Sequence, residues 1–182
     1  MIAPGNHDHY DSLRGAPPSR NITELSGRMV EMDLPQRKSP RIPNYDYSSV
    51  NFYFMTICTH EKQCFFGSPG NLNRMGNIAE DCLLKIPKLY PGIRLDKYVV
   101  MPNHIHVIFD VQDSKTDLAV VIGQYKMAVT KKIRERIPEF TVWQRSFHDH
   151  VIRNQCRYEK IWKYIEDNPR KWEEDCFYMS AE

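Results

Sequence analysis

Tyr98-Val99-Val100-Met101-Pro102-Asn103-His104-Ile105-His106-Val107-Ile108-Phe109 decides how this chain is read. The stretch is apolar and rich in β-branched residues, the composition of a strand, and Pro102-Asn103 interrupts it. Alternate side chains of a strand share a face. His104, His106 and Ile108 therefore point one way, and Ile105, Val107 and Phe109 point the other way, into a core. Two imidazoles side by side on a rigid strand make half of a metal site.

Outward from this stretch the pattern alternates. Asn51–Thr59 (NFYFMTICT) is aromatic and β-branched, a first strand. Gly67–Asn73 reads as a loop. Met75–Leu89 has helical spacing through Ile78, Cys82, Leu83 and Ile86, with Pro87 ending or kinking it. A second strand starts near Ile93, and the Pro102-Asn103 break permits a hairpin-like turn into the next. Thr116–Ile137 is a helix with Leu118, Val121, Ile122, Tyr125 and Val129 on one stripe, stopped by Pro138. Trp143–Ile152 is short and extended, and Gln155–Asn168 is a last helix before Pro169. The order β-α-β-β-α-β-α predicts an α+β fold: a ferredoxin-like antiparallel sheet with helices on one face.

Residues 1–43 differ from the rest. They hold six of the 12 prolines (Pro4, Pro17, Pro18, Pro35, Pro40 and Pro43), with charges of both signs and no period. We read them as an irregular N-terminal extension containing a short ordered piece near Ile22–Met32, and residues 44–182 as one domain. The 182 residues, 41% of them hydrophobic, suffice for one packed core. A net charge of +2 does not announce a nucleic-acid binder. No run approaches the ~20 apolar residues of a membrane span. Five cysteines, odd in number and without a CxxC pair, argue against a disulfide framework and point to a reducing cytoplasm.

The last helix supplies the missing chemistry. Tyr158, Ile161, Trp162 and Ile165 form the apolar stripe that should dock on the sheet. Tyr164 and Asn168, four residues apart, share a face beside it. A tyrosine attacks phosphorus well once its proton has left, although its free pKa is about 10. A divalent metal neutralises a scissile phosphate and orients in-line attack. An Asn168 amide oxygen can join His104 and His106 as third ligand. This mixed N/O set suits Mg²⁺ or Mn²⁺, and imidazole would also accept Zn²⁺ or Co²⁺. Tyr158 lies on the stripe with no amide four residues on, and is assigned to packing.

Together these pieces resemble the HUH single-tyrosine transposases, in whose name U is a hydrophobic residue, here Ile105. The resemblance is carried by Tyr45–Gly67, LDKYVVMPNHIHVIF (Leu95–Phe109), VWQRSFHDHVIRN (Val142–Asn154) and YEKIWKYIEDNP (Tyr158–Pro169). It is closest to the REP-associated tyrosine transposases, which have Asn where the insertion-sequence branch has Gln at the position of Asn168. It implies the histidine pair on a central strand. It also implies that Tyr164 attacks single-stranded DNA, often hairpin-forming, and becomes joined to the 5′ phosphate with release of a 3′ hydroxyl. Both a monomer and a homodimer with shared sites are compatible with it. A catalytically inactive hairpin-binding module derived from a transposase is the alternative.

For DNA contact the sequence offers Lys126, Lys131, Lys132 and Arg134 on one helix and Arg145 and Arg153 near the tyrosine helix. Trp143, Tyr125 and Phe147 could stack on bases, and are read more readily as core. Two further His-x-His pairs carry an acidic centre. His7-Asp8-His9 falls in the irregular segment, and His148-Asp149-His150 falls in an ordered one where either histidine could touch phosphate.

Overall fold

The computed structural model describes residues 46–112 and 115–179. The expected extension, its ordered piece near Ile22–Met32 and the His7-Asp8-His9 pair lie outside the described residues. Among the described residues, six strands and four α-helices follow in chain order: β1 (Asn51–Cys58), β2 (Gly67–Ser68), β3 (Asn71–Leu72), α1 (Arg74–Leu83), α2 (Ile86–Leu89), β4 (Ile93–Val100), β5 (His104–Val111), α3 (Leu118–Arg134), β6 (His148–Ile152) and α4 (Gln155–Asp167). β1, β4, β5 and β6 form one antiparallel sheet in the order β4-β5-β1-β6, so β5 and β1 are central. This is the expected antiparallel α+β architecture.

The period of two sorts the sheet into two faces. Ile105, Val107 and Phe109 join Tyr53, Met55 and Ile57 of β1 in the main core, closed by Ala79 and Leu83 of α1 and Leu118, Val121, Ile122, Tyr125 and Val129 of α3. Ile108 instead joins Ile152 and Ile165 under α4, flanked by Phe52, Phe54, Val99, Tyr158 and Ile161. The helices, expected on one face, are thus divided: α1 and α3 cover the main core, and α4 covers the face of the histidines. The tyrosine helix could not otherwise meet them.

Local chemistry sets the boundaries. Asn73, Asp117 and Asn154 cap α1, α3 and α4 by accepting backbone N–H bonds in the first turn. The expected helix over Met75–Leu89 breaks at Leu84-Lys85, with Pro87 in the first turn of α2, where its missing N–H costs nothing. The loop at Gly67–Asn73 contains the β2-β3 hairpin, in which Gly67 has φ 109° and a Cβ would lie 2.6 Å from Asn71 O. Trp162 was expected on the buried stripe. It is 37% exposed, and the Lys97 ammonium lies 3.9 Å above its ring.

The turn before the histidines is held from several sides. Met101 N–H donates to His104 O (2.8 Å), Phe66 N–H to Pro102 O (3.0 Å) and Thr59 N–H to Asn103 O (2.9 Å). Met101 and Asn103 are fully buried. The Pro102-Asn103 break is therefore a pinned turn that fixes where β5 begins.

Candidate metal and tyrosine site

His104 and His106 stand on central strand β5 with ring centroids 4.3 Å apart. Both are buried. The bonds behind the rings decide which nitrogens face the site. Asn103 Nδ2 donates to Lys62 O and Phe177 O, both at 2.8 Å. Its Oδ1 is thus left as an acceptor, 2.8 Å from His104 Nδ1. His104 must carry its proton on Nδ1, so Nε2 presents a lone pair. That Nε2 is buried and has no hydrogen-bond partner among the described residues. His106 Nδ1 lies 2.9 Å from Thr56 Oγ1 on the neighbouring strand, which turns its Nε2 toward α4.

Tyr164 meets that nitrogen. Its hydroxyl is 3.1 Å from His106 Nε2, in the same chain. Phe54 of β1 packs against both rings. One turn on, Asn168 is 2% exposed, and its backbone N–H still donates to Tyr164 O, keeping the two side chains on one face. The structure brings together all four sequence-predicted residues: His104, His106, Tyr164 and Asn168.

It also brings in one residue the sequence reading missed. Pro169 ends α4, and the chain continues through a 3₁₀ turn (Asn168–Glu174) that returns Asp175 to the histidines. Asp175 Oδ2 accepts from the Tyr164 hydroxyl (2.8 Å) and Asn168 Nδ2 (2.6 Å) and lies 3.9 Å from His106 Nε2. Oδ1 accepts the Phe177 N–H at 2.7 Å. Nothing in the local sequence marks Asp175 as special, because only the turn after Pro169 carries it back. Phe177 then lies over the pair, its ring 4.8 Å from that of His104 and 5.9 Å from that of His106.

The electrostatics follow from burial. Desolvation, with the neighbouring His106 second, holds His104 down to about 3. Burial also lowers His106, against the opposing pull of Asp175. Both imidazoles are neutral near pH 7, the form a metal takes. Burial alone would raise the Asp175 carboxyl, but the neighbouring His106 and hydrogen bonds from Phe177 N–H, Asn168 and Tyr164 outweigh it and leave Asp175 ionised. Burial and the Asp175 carboxylate push the Tyr164 phenol well above its ordinary value.

A divalent cation fits these residues. Two buried polar atoms here, His104 Nε2 and Asn168 Oδ1, have no hydrogen-bond partner among the described residues. A flip of the Asn168 amide would set its oxygen against the Asp175 carboxylate, so the orphan is an oxygen. Donor atoms of His104, His106 and Asp175 all lie within 4.8 Å of one another. An open cleft of about 280 Å³ leads to Tyr164, with Lys160, Lys163 and Lys171 on its rim.

The expected DNA contacts divide. Lys126 is spoken for: its ammonium donates to Gln144 O (2.7 Å) and Ser146 O (2.8 Å), tying α3 to the segment before β6. Lys131, Lys132 and Arg134 sit at the end of α3, which packs on the opposite face of the sheet from the histidines, and Arg134 Nε donates to Phe140 O at 3.0 Å. Arg145 is exposed. Arg153 is exposed beside His150, Asn154 and Arg157 on the side where α4 begins. Tyr125 and Phe147 are buried and Trp143 packs against the core, as read from sequence.

A ferredoxin-like sheet that sets a histidine pair before a helical tyrosine is the arrangement of a single-tyrosine transposase. The chain belongs to the IS200-like transposase family, whose pattern matches residues 47–168. An uncharacterized protein of Haemophilus influenzae is 33% identical over 168 residues, covering 79% of this chain and 93% of its own length. A second protein of that organism, named provisionally as a REP-associated tyrosine transposase, is 27% identical over 82 residues, 40% of this chain and 47% of that protein. A solved structure of a REP-associated tyrosine transposase bound to a REP hairpin superposes with a TM-score of 0.54 at 20% identity, covering 72% of this chain and 73% of that one. At that identity the likeness is one of fold. No helix among the described residues is long and apolar enough to cross a membrane.

Proposed function

We propose that this transposase-family chain is a metal-dependent strand transferase acting on single-stranded, hairpin-forming DNA. The observation that carries the reading is the 3.1 Å approach of the Tyr164 hydroxyl to His106 Nε2 within one chain. Tyr164 loses its proton and attacks a phosphodiester. A tyrosine–phosphorus ester forms at the 5′ phosphate, the bond to the 3′ oxygen breaks, and that oxygen takes up, through solvent, the proton that Tyr164 gave up, leaving a 3′ hydroxyl. That hydroxyl can later attack the ester, so rejoining needs no external energy.

His104 and His106, with the Asn168 amide oxygen, would hold Mg²⁺ or Mn²⁺. Bound there, such a cation would neutralise charge on the phosphate and counter the field of Asp175 that keeps the phenol protonated. The surrounding residues position the parts. Asn103 and Thr56 orient the imidazoles, and Ile165, on the buried face of α4, seats the tyrosine helix on the sheet. Arg153 and Arg157, with the lysines of the cleft rim, supply positive charge for the strand on the tyrosine side. The REP-hairpin complex of the structural relative supports a hairpin substrate.

Incubation with Mn²⁺ and hairpin-forming single strands should give a covalent protein–DNA adduct on a denaturing gel, and Tyr164→Phe should abolish it. One observation favours the alternative of an inactive binding module: Phe177 and the 3₁₀ turn leave both imidazoles buried. That reading predicts salt-sensitive hairpin binding and no adduct with any divalent metal.

A further inference from the structure

We infer that Asp175 is itself a ligand of the divalent cation, so that the segment after the tyrosine helix supplies the anionic member of the metal site. The inference rests on the metal reading above and adds a residue to it.

Three observations converge. First, Asp175 is a buried carboxylate with no cationic side chain to balance it. Its side chain is fully buried, and among the described residues no lysine or arginine nitrogen lies within 4.0 Å. Its partners are a phenol, a carboxamide, a backbone amide and a neutral imidazole. A buried charge so placed calls for a cation.

Second, the distances suit a shared ion. Donors that each sit about 2.1 Å from one ion lie at most about 4.2 Å apart. The 3.9 Å between His106 Nε2 and Asp175 Oδ2 is inside that span. The widest separation in the His104, His106 and Asp175 set, under 4.8 Å, closes with shifts of about half an ångström at side chains.

Third, the chemistry favours it. Mg²⁺ and Mn²⁺ are hard ions that prefer oxygen, and an ionised carboxylate is a stronger donor than a carboxamide. Two neutral imidazoles and an amide would leave both positive charges of the ion uncompensated in a buried place. Asp175 removes one. Asn168 then has two tasks: its Nδ2 holds the carboxylate and its Oδ1 faces the ion.

A physical consequence separates this from a carboxylate that merely holds Tyr164. If Asp175 binds the ion, the ion and the seating of residues 175–178 stabilise each other. The backbone there is fastened by the Asp175 Oδ1 bond to Phe177 N–H and by the Asn103 bond to Phe177 O.

The test uses the full chain titrated with MnCl₂, with bound and free manganese distinguished by electron paramagnetic resonance. Asp175→Asn keeps the side chain's size and an acceptor for Phe177 N–H. It should weaken Mn²⁺ binding at least about tenfold, a loss that even outer partners of a metal site produce. In the unaltered protein, which needs no variant to fold, Mn²⁺ should slow amide exchange across residues 175–178. Wild-type affinity within twofold in Asp175→Asn, alongside lost binding in His104→Ala, overturns this inference and leaves the histidine site standing. Unimpaired binding in His104→Ala overturns the metal reading and this inference together.

Discussion

Asn103 Oδ1 lies 2.8 Å from His104 Nδ1, and this one bond decides which nitrogen of the imidazole faces the site. The same amide holds Lys62 O and Phe177 O, so the residue before the histidine pair ties the strand to two distant segments. Asn103→Ala frees the ring to choose either tautomer and leaves two carbonyls unpaired. Mn²⁺ affinity should fall about 10–100-fold. Calorimetric titration checks this, with Asn103→Asp as a companion that keeps an acceptor for Nδ1.

The metal-free protein should be acid-sensitive in a defined window. His104 has an ordinary value of 6.5 and is held at about 3 by burial and by His106. Below about pH 6.5 the unfolded chain gains a proton that the folded chain refuses. The stability conferred by a neutral His104 is therefore complete above that pH and is lost on going down toward about 3, at up to ~1.4 kcal/mol per pH unit. His106 is shifted in the same direction and adds to the slope. The depressed Asp175 acts only below the ordinary carboxylate range. Urea unfolding at pH 7.5, 6.0 and 5.0 should show the decline, and the double variant His104→Gln, His106→Gln should flatten it. An equal slope in that variant contradicts the assignment.

Ile165 is 1% exposed, packs with Ile108 and Ile152, and lies next to Tyr164. Ile165→Ala should cost about 2–5 kcal/mol and loosen α4 on the sheet. Adduct formation should fall at temperatures where the chain is still folded, because the phenol loses its register with His106. Circular dichroism melts paired with the adduct assay separate the two effects.

Lys126 and Arg153 should behave differently despite their like charge. Lys126→Met removes two hydrogen bonds to backbone carbonyls and should lower stability by about 1–3 kcal/mol, with little change in the salt dependence of DNA binding. Arg153→Ala should leave stability nearly intact and reduce the slope of log affinity against log salt by about one. Fluorescence anisotropy over a salt series gives the slope.

Much of this site was legible in the residues, for identifiable reasons. The period of two along His104–Phe109 separates ligand face from core without knowledge of the neighbours. The i,i+4 spacing of Tyr164 and Asn168 does the same on a helix. What the chain order hides is contact made by return. Asp175 lies beyond Pro169, where the helix pattern ends, and nothing local says that a 3₁₀ turn carries it back to β5. Lys126 looked like part of a basic face because charge pattern does not report which carbonyls lie beneath a side chain. Trp162 fits the apolar stripe by spacing, yet it lies at the rim, where Lys97 covers it.

The central claim is that one chain carries imidazoles and phenol to the same phosphate. The most direct measurement mixes two inactive variants, His104→Ala with His106→Ala in one chain and Tyr164→Phe in the other, with Mn²⁺ and a hairpin substrate. The 3.1 Å contact within one chain predicts that the mixture forms no adduct while the unaltered protein does. Adduct restored on mixing would show that the tyrosine serves a partner's histidines and contradict the account.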